Sequence, residues 1–147
     1  MTRIRSFDDL APGMSFDLGG FSLPRQEVLD FAARYDAQPF HLDDEAARDS
    51  VFGELVASGL HTLSAAFGHM IRTGFIAEVS MGGNAIDLKW PAPLRPDEAV
   101  TLRVVVEELR PSRSKPGLGI AKLRYLVTRE ADAVLVLDAL CTHFMKR

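Results

Sequence analysis

The fold of this chain depends on a helix-forming stretch, Ser58-Gly-Leu-His-Thr-Leu-Ser-Ala-Ala-Phe-Gly-His-Met-Ile-Arg72. Ser58 is a favourable N-cap, because its side-chain oxygen can accept an N–H group from the first helical turn. Apolar residues then recur at helical spacing and form one wide stripe, which consists of Leu60, Leu63, Phe67, Met70 and Ile71. Small residues between them allow another element to pack closely. We therefore expect a heavily buried helix over residues 59–72 that stops at Gly74.

Beyond this helix, apolar residues alternate with polar ones, as is typical of strands. The alternation covers residues 86–90, 100–107 and 121–128, and a last run over 133–144 is almost continuously apolar, as in a strand buried on both faces. Strands joined by short loops predict an antiparallel meander with one face to cover. The helix of residues 59–72 is the obvious cover. We therefore predict an α+β fold in which a curved antiparallel sheet wraps around one long helix. This description matches the hotdog fold, although periodicity alone also permits other α+β arrangements.

The part of the chain before Ser58 predicts one strand and two helices. Residues 14–21 form the expected strand, and Ser22 with Pro24 indicates the start of a helix. That helix should end before Pro39, because the residue preceding a proline avoids helical angles. A short second helix is expected over residues 44–49.

Length and composition exclude several classes of protein. The chain has 147 residues, and we expect residues 1–147 to form a single domain. A hydrophobic fraction of 47% and a charged fraction of 25% are ordinary for a globular protein. The net charge of −3, without a basic tail, argues against nucleic-acid binding. No apolar run approaches the roughly 20 residues of a membrane helix, and the N-terminus does not resemble a signal peptide, so no membrane partner is expected.

Cys141 is the only cysteine, so no internal disulfide can form and a cytoplasmic location is the expected default. Its place in an apolar run indicates a buried small hydrophobe rather than a nucleophile. His143, two residues later, is predicted to lie on the surface of the same strand.

The six residues Asp36-Ala-Gln-Pro-Phe-His41 are the first candidate for chemistry. An acid and an imidazole close together can position a water and move protons on and off carbon, as in a hydratase or dehydratase. Spacing alone leaves a second interpretation open, in which Asp36 is a turn residue and His41 a loop residue.

Ser58 and Gly59 are the second candidate, because a helix N-terminus presents unpaired N–H groups and the positive end of the helix dipole. A thioester carbonyl bound there would be polarised, and the enolate formed from it would be stabilised. The alternative is a plain N-cap with a glycine chosen for packing.

A basic turn between two predicted strands is the third candidate. Arg110, Arg113 and Lys115 could contact the phosphates of coenzyme A or of an acyl-carrier prosthetic group, or the turn could simply be a solvated hairpin tip. No metal site is expected. His61 and His69 lie about 12 Å apart along one helix at 1.5 Å per residue, too far to share an ion.

The two chemical motifs together resemble the MaoC-like dehydratases, relatives of the R-specific enoyl-CoA hydratases with the hotdog fold. The resemblance rests on Tyr35-Asp-Ala-Gln-Pro-Phe-His-Leu-Asp43, on Phe52 and on Ala57-Ser-Gly-Leu-His-Thr62. One departure stands between the catalytic positions, where this chain has Gln38 and many characterised hydratases have asparagine.

The resemblance implies an enoyl-thioester hydratase/dehydratase. Asp36 and His41 would be the catalytic pair that holds one water against a trans-2-enoyl thioester, and the product would be an (R)-3-hydroxyacyl thioester. The N–H of Gly59 would bind the thioester oxygen, with Ser58 and His61 as neighbouring substrate-binding residues. The acyl group would be carried on coenzyme A or acyl-carrier protein, without a further cofactor, and the assembly would be a homodimer or a dimer of dimers.

Two other functions are compatible with the same scaffold. An acyl-CoA thioesterase would direct its water at the thioester carbon and release a free thiol. A non-catalytic acyl-CoA-binding module would bind the thioester without turnover.

Overall fold

A five-stranded antiparallel sheet and one long helix dominate the structure, a computed structural model that describes residues 2–147. In chain order its elements are a 3-10 helix at Phe7–Asp9, β1 at Ser15–Phe21, α1 at Arg25–Tyr35, a 3-10 turn at Pro39–His41, α2 at Asp44–Arg48, α3 at Gly59–Arg72, β2 at Ser80–Lys89, β3 at Val100–Pro111, β4 at Leu118–Arg129 and β5 at Leu135–Lys146. The predicted α+β class, the long helix and its Ser58 cap are confirmed.

The strands lie in the order β1-β3-β4-β5-β2, and every neighbouring pair is antiparallel. Strands β3, β4 and β5 form the expected meander. Strand β2 does not continue it, since it pairs with β5 at the far side of the sheet. The connection over residues 90–99 contains three prolines, which lack the N–H needed for a ladder and do not suit a tight hairpin here. The chain therefore crosses over from β2 to β3.

Helix α3 lies against β5, and its buried face differs from the predicted stripe. Thr62, Ala66 and Met70 are buried, whereas Leu60 is 45% and Phe67 41% exposed. Residues four apart share one face of a helix, and the small side chains at 62 and 66 let the helix approach the sheet closely. Leu63 and Ile71 are partly buried against the core, so the expectation of a heavily buried helix is wrong only for the outer side, at Leu60 and Phe67.

Strand β2 forms an apolar edge of the sheet. The strand predicted over residues 86–90 begins earlier, at Ser80, and ends at Lys89, and its residues do not alternate in burial, since Met81 is 50% and Ile86 54% exposed. Phe67 of α3 lies beside Ile86 in the wall of one cavity. We call these residues, together with Leu60, the β2 edge surface. A long edge strand with apolar side chains is a ready template for pairing with another chain.

The C-terminal strand contributes two buried polar groups. Cys141 is buried at 3% exposure, as predicted, whereas the prediction of a surface position for His143 is wrong, because it too is 3% exposed. Its side chain points under α3, where Phe67 stacks on the imidazole. Over residues 2–147, no helix combines the length and the apolar character that crossing a bilayer requires.

Candidate active site

The end of α1 and the 3-10 turn that follows bring Asp36 and His41 together. Asp36 caps α1 through its backbone N–H, and Pro39 begins the turn in which His41 is the last residue. Atom Nε2 of His41 lies 3.3 Å from Oδ2 of Asp36. The imidazole is almost fully buried, and the Asp36 side chain is 18% exposed. The acid and the imidazole predicted from spacing are therefore neighbours at the wall of a pocket.

The orientation of His41 follows from its other nitrogen. Nδ1 lies 2.7 Å from the carbonyl oxygen of Val56. Because a carbonyl oxygen can only accept a hydrogen bond, Nδ1 carries the hydrogen, and in the neutral imidazole Nε2 is then the acceptor. The lone pair of Nε2 faces Asp36. The backbone at Val56 therefore holds His41 in the tautomer that a general base requires.

The Asp36 carboxylate accepts a hydrogen bond at each oxygen. The Ser58 hydroxyl donates to Oδ2 at 2.7 Å, and the Gln38 amide donates to Oδ1 at 2.7 Å. Partial burial by itself raises the pKa of Asp36, but the hydrogen bonds from Ser58 and Gln38 and the proximity of His41 together hold it below its ordinary value. The carboxylate is thus kept ionised at neutral pH, and Gln38 has a direct role in this.

Ser58 acts in two ways at the start of α3. Its side-chain oxygen accepts the N–H of Leu60 at 3.3 Å while its hydroxyl donates to Asp36. Within residues 2–147, the N–H of Gly59 has no acceptor among the backbone and side-chain hydrogen bonds of the structure. An unpaired donor at a helix N-terminus can stabilise a developing oxyanion.

A cavity of about 660 Å³ joins these groups. Asp36, Gln38, His41, Gly59 and Thr62 supply its polar positions, and the rest of the wall is mainly apolar or aromatic. The apolar and aromatic lining consists of Tyr35, Phe40, Phe52, Val56, Ala57, Leu60, Trp90, Pro91, Ala92, Pro93, Leu94 and Val136. A mainly apolar cavity with a few converging polar groups is typical of a small-molecule site.

This arrangement is suited to holding one water. In the neutral tautomer His41 offers Nε2 as an acceptor 3.3 Å from Oδ2 of Asp36, so a proton donor at the cavity wall can be shared between the two atoms. A water that donates one hydrogen to each satisfies both atoms. Its oxygen lone pairs then face into the cavity, towards any substrate bound there.

His61 does not line this cavity. Position 61 lies about 200° around the helix from position 59, so its side chain faces α1 instead. There the imidazole stacks on Phe31 at 4.6 Å, and Nε2 is 3.9 Å from Oε1 of Glu27 in the wall of a separate cavity. Burial lowers the pKa of His61, against the opposing influence of Glu27. The structure therefore separates His61 from Ser58 and Gly59.

The basic turn also lies away from the cavity within one chain. Arg110, Arg113 and Lys115 are exposed around the hairpin between β3 and β4. The cavity wall at Pro93 lies near the opposite end of these strands, where it accepts a hydrogen bond from Arg129. At about 3.3 Å per residue, β3 separates the two places by roughly 35 Å.

Trp90 is a wall residue that the sequence reasoning missed. It follows β2 and lies against Gly59, and the only signal was a single tryptophan before a Pro-Ala-Pro segment. Among residues 2–147, no group of three or more histidine, cysteine, aspartate or glutamate side chains is arranged to hold a metal ion.

Comparison with known proteins gives consistent matches. The family model for the MaoC like domain matches residues 9–126. A MaoC-like dehydratase from Rhodospirillum rubrum has a similar structure, with 32% identity, a TM-score of 0.88 and 95% of each chain covered. The (R)-hydratase from A. caviae involved in PHA biosynthesis shares the fold at 24% identity and a TM-score of 0.72, covering 91% of this chain and 96% of its own. An uncharacterized protein of Bacillus subtilis, YdeM, is 27% identical over 112 residues, which are 76% of this chain and 79% of its own.

Proposed function

Because this chain belongs to the MaoC-like domain family of hotdog hydratases and dehydratases, we propose that it is an enoyl-thioester hydratase/dehydratase. The reaction adds water reversibly to a trans-2-enoyl thioester of coenzyme A or acyl-carrier protein and gives an (R)-3-hydroxyacyl thioester. The observation that carries the proposal is the pair Asp36 and His41 in a cavity that is also lined by Gly59, whose N–H has no acceptor in the structure.

In the proposed hydration, His41 is the general base. The bound water donates its hydrogens to Nε2 of His41 and to Asp36, and its oxygen attacks C3 of the enoyl group as His41 takes one proton. The electrons move to the thioester oxygen, where the N–H of Gly59 stabilises the enolate. The proton then returns to C2 with the help of Asp36, so one water is added in total. Dehydration is the reverse.

The side chains of the chain itself supply each proton transfer in this scheme. The apolar wall suits the hydrocarbon part of an acyl group, and the proposal includes no cofactor other than the thioester carrier.

Hydration of crotonyl-CoA, followed by the loss of enoyl absorbance, tests the proposal. Asp36→Asn and His41→Ala should each lower kcat/KM by about 10²–10⁴-fold, because each removes a proton-transfer group. Asp30→Asn is the matched control, since Asp30 lies on α1 but outside the cavity. The site assignment is wrong if the wild type is active and both site variants keep its full rate.

Two further readings of the same experiment decide between related activities. In the dehydration direction, the (R)-3-hydroxybutyryl thioester should react and its (S) enantiomer should not. Release of free thiol from acyl-CoA would instead indicate a thioesterase. Binding of acyl-CoA without turnover at any chain length would indicate a binding module.

We also propose that two copies of the chain pair through the β2 edge surface. Antiparallel pairing of β2 with its copy would join the two sheets and cover Met81 and Ile86. A two-fold axis through this pairing reverses the partner sheet. The strands of the partner would then run in the opposite direction, so its basic turn would lie at the same end of the joined sheet as the cavity of this chain. The phosphates of a carrier bound at that cavity could contact the basic turn there. A dimer of dimers would add contacts elsewhere.

Sedimentation velocity tests the assembly. Ile86→Asp should convert the dimer to a monomer, because a charge would be buried without a partner. Val51→Asp is the control, since Val51 is 94% exposed and lies outside the β2 edge surface. An unchanged dimer in Ile86→Asp would contradict pairing through β2.

Arg113→Ala should raise KM for coenzyme A thioesters but leave KM for pantetheine thioesters unchanged.

A further inference from the structure

Trp90, the single tryptophan of the chain, lies directly over the first residue of α3. A Cβ atom placed on Gly59 would stand 2.3 Å from Cε2 and 2.5 Å from Nε1 of the indole. Gly59 does not have a positive φ, so its backbone conformation does not demand glycine. Glycine is required at this position because the indole leaves no room for a Cβ atom. The two residues are therefore matched to each other in the wall of the cavity.

The backbone beneath the indole has little freedom. Trp90 precedes Pro91, which restricts it to extended angles, and Pro91 and Pro93 have fixed φ. The carbonyl oxygen of Leu94 accepts the N–H of Ala57 at 2.8 Å, which ties this wall to the residue before Ser58. These contacts fix the segment that carries the indole relative to the start of α3, although Trp90 is 46% exposed to solvent.

The indole and the N–H of Gly59 share one corner of the cavity. A carbonyl oxygen bound to that N–H would lie about 2.9 Å from the nitrogen. The carbon that bears this oxygen, and the carbon next to it, would then lie alongside the indole. In an enoyl thioester these atoms are C1 and C2, whereas C3 must face the water held by Asp36 and His41.

We propose that Trp90 is a specificity-determining residue that selects acyl thioesters without a branch at C2. The inference rests on the proposed function, because the N–H of Gly59 must bind the thioester oxygen. The indole fills the space that a substituent on C2 would occupy. Its backbone, fixed by Pro91 and the bond from Ala57 to Leu94, cannot withdraw to make room. One methyl group in an apolar pocket typically changes selectivity by about 10–200-fold.

Butyryl-CoA and isobutyryl-CoA form a matched pair of probes. They are isomers in which one methyl group stands on C3 or on C2, and neither can be hydrated, so binding is measured on the active protein. Titration calorimetry should give a dissociation constant for isobutyryl-CoA at least about tenfold higher than for butyryl-CoA in the wild type. In Trp90→Ala the ratio should approach one, and Trp90→Phe should give an intermediate ratio. Phe52→Ala, on another part of the cavity wall, should keep the wild-type ratio.

Butyryl-CoA should also change the emission of the wild type, in which Trp90 is the only tryptophan. Equal ratios in the wild type and in both Trp90 variants would overturn this inference and leave the hydratase proposal standing. Failure of the wild type to bind either thioester would overturn both. Loss of the ratio in Phe52→Ala to the same extent as in Trp90→Ala would show that the indole is not the selective wall.

Discussion

Two buried imidazoles in this chain have opposite chemical situations. His41 and His143 are 5% and 3% exposed, so burial does not distinguish them. Nδ1 of His41 donates a hydrogen bond to the backbone carbonyl oxygen of Val56, and Nε2 lies on the opposite side of the ring, beside Asp36. In His143 the Tyr125 hydroxyl is hydrogen-bonded to Nε2, and Phe67 covers the ring. Nε2 of His41 lies beside Asp36 at the wall of the candidate cavity, whereas Nε2 of His143 is paired with Tyr125 beneath α3.

The environment of His143 reinforces this difference. Burial lowers the pKa of His143 to about 4 and raises that of Tyr125 well above its ordinary value, so both groups are neutral at pH 7. They form a neutral hydrogen bond beneath α3. The direction and occupancy of each ring nitrogen, rather than burial or a shifted pKa, therefore separate a candidate base from a packing residue.

Matched substitution of the two histidines tests whether His41 and His143 have different roles. His41→Asn should lower kcat/KM for crotonyl-CoA by about 10²–10⁴-fold, since it removes the proposed general base. His143→Asn should leave kcat/KM close to the wild-type value and instead lower the free energy of unfolding, because it disturbs a buried hydrogen bond and the packing of Phe67. Enzyme assays and urea unfolding on the same preparations separate the two effects. A large loss of turnover in a fully folded His143→Asn would contradict the distinction.

The stability of the protein should fall between pH 6.5 and pH 4 because of His143. Above pH 6.5 the imidazole is neutral in both states, so its contribution to stability is fully present. Below pH 6.5 the unfolded chain binds a proton that the native state resists until about pH 4. At about 1.4 kcal/mol per pKa unit, the free energy of unfolding falls by about 3 kcal/mol over this range.

Urea unfolding of wild type and His143→Asn at several pH values measures this effect. His61, whose pKa is also lowered, contributes in the same direction in both proteins, so the difference between them isolates His143. Parallel pH profiles for the two proteins would show that His143 is not held neutral.

The helices and most strands could be predicted because their signals are local. The Ser58 cap and the alternation in β3 and β4 each depend on residues within one element. The pairing of β2 with β5 could not be predicted, since it depends on contacts between residues about 50–65 positions apart, from Lys89 with Asp138 to Ser80 with Met145. For the same reason periodicity identified apolar positions on α3 but not the side that meets the sheet, and Leu60 and Phe67 were assigned to the core.

Most residues of the candidate site could be predicted from the sequence, but the contacts between them could not. Asp36, His41 and Gly59 do line one cavity, whereas His61 does not. The sequence pattern also predicted that Ser58 caps α3, but not that it donates a hydrogen bond to Asp36. Its hydroxyl reaches Asp36 across 22 positions, and no local pattern encodes a contact of that kind.

Loss of the hydrogen bond from Ser58 to Asp36 should have the smallest of the effects on kcat/KM. Ser58 donates to the acceptor Asp36, much as Tyr125 pairs with His143, but here the carboxylate stays accessible to the cavity. Removing the hydroxyl in Ser58→Ala should raise the pKa of Asp36, because a hydrogen bond that favours the charged form is lost. The acid limb of the profile of kcat/KM against pH should therefore move to higher pH, with about a tenfold loss at neutral pH from a hydrogen bond to a charged group.

The pH profile separates this role from the helix cap, since loss of a cap lowers stability by about 1 kcal/mol without moving an acid limb. Ser58→Thr keeps both the hydroxyl and the cap and should restore the wild-type profile. Ser64→Ala is the control on the same helix, because Ser64 lines the separate cavity beside His61. If the acid limb of Ser58→Ala coincides with that of the wild type, Ser58 is only a cap, and the low pKa of Asp36 must come from Gln38 and His41.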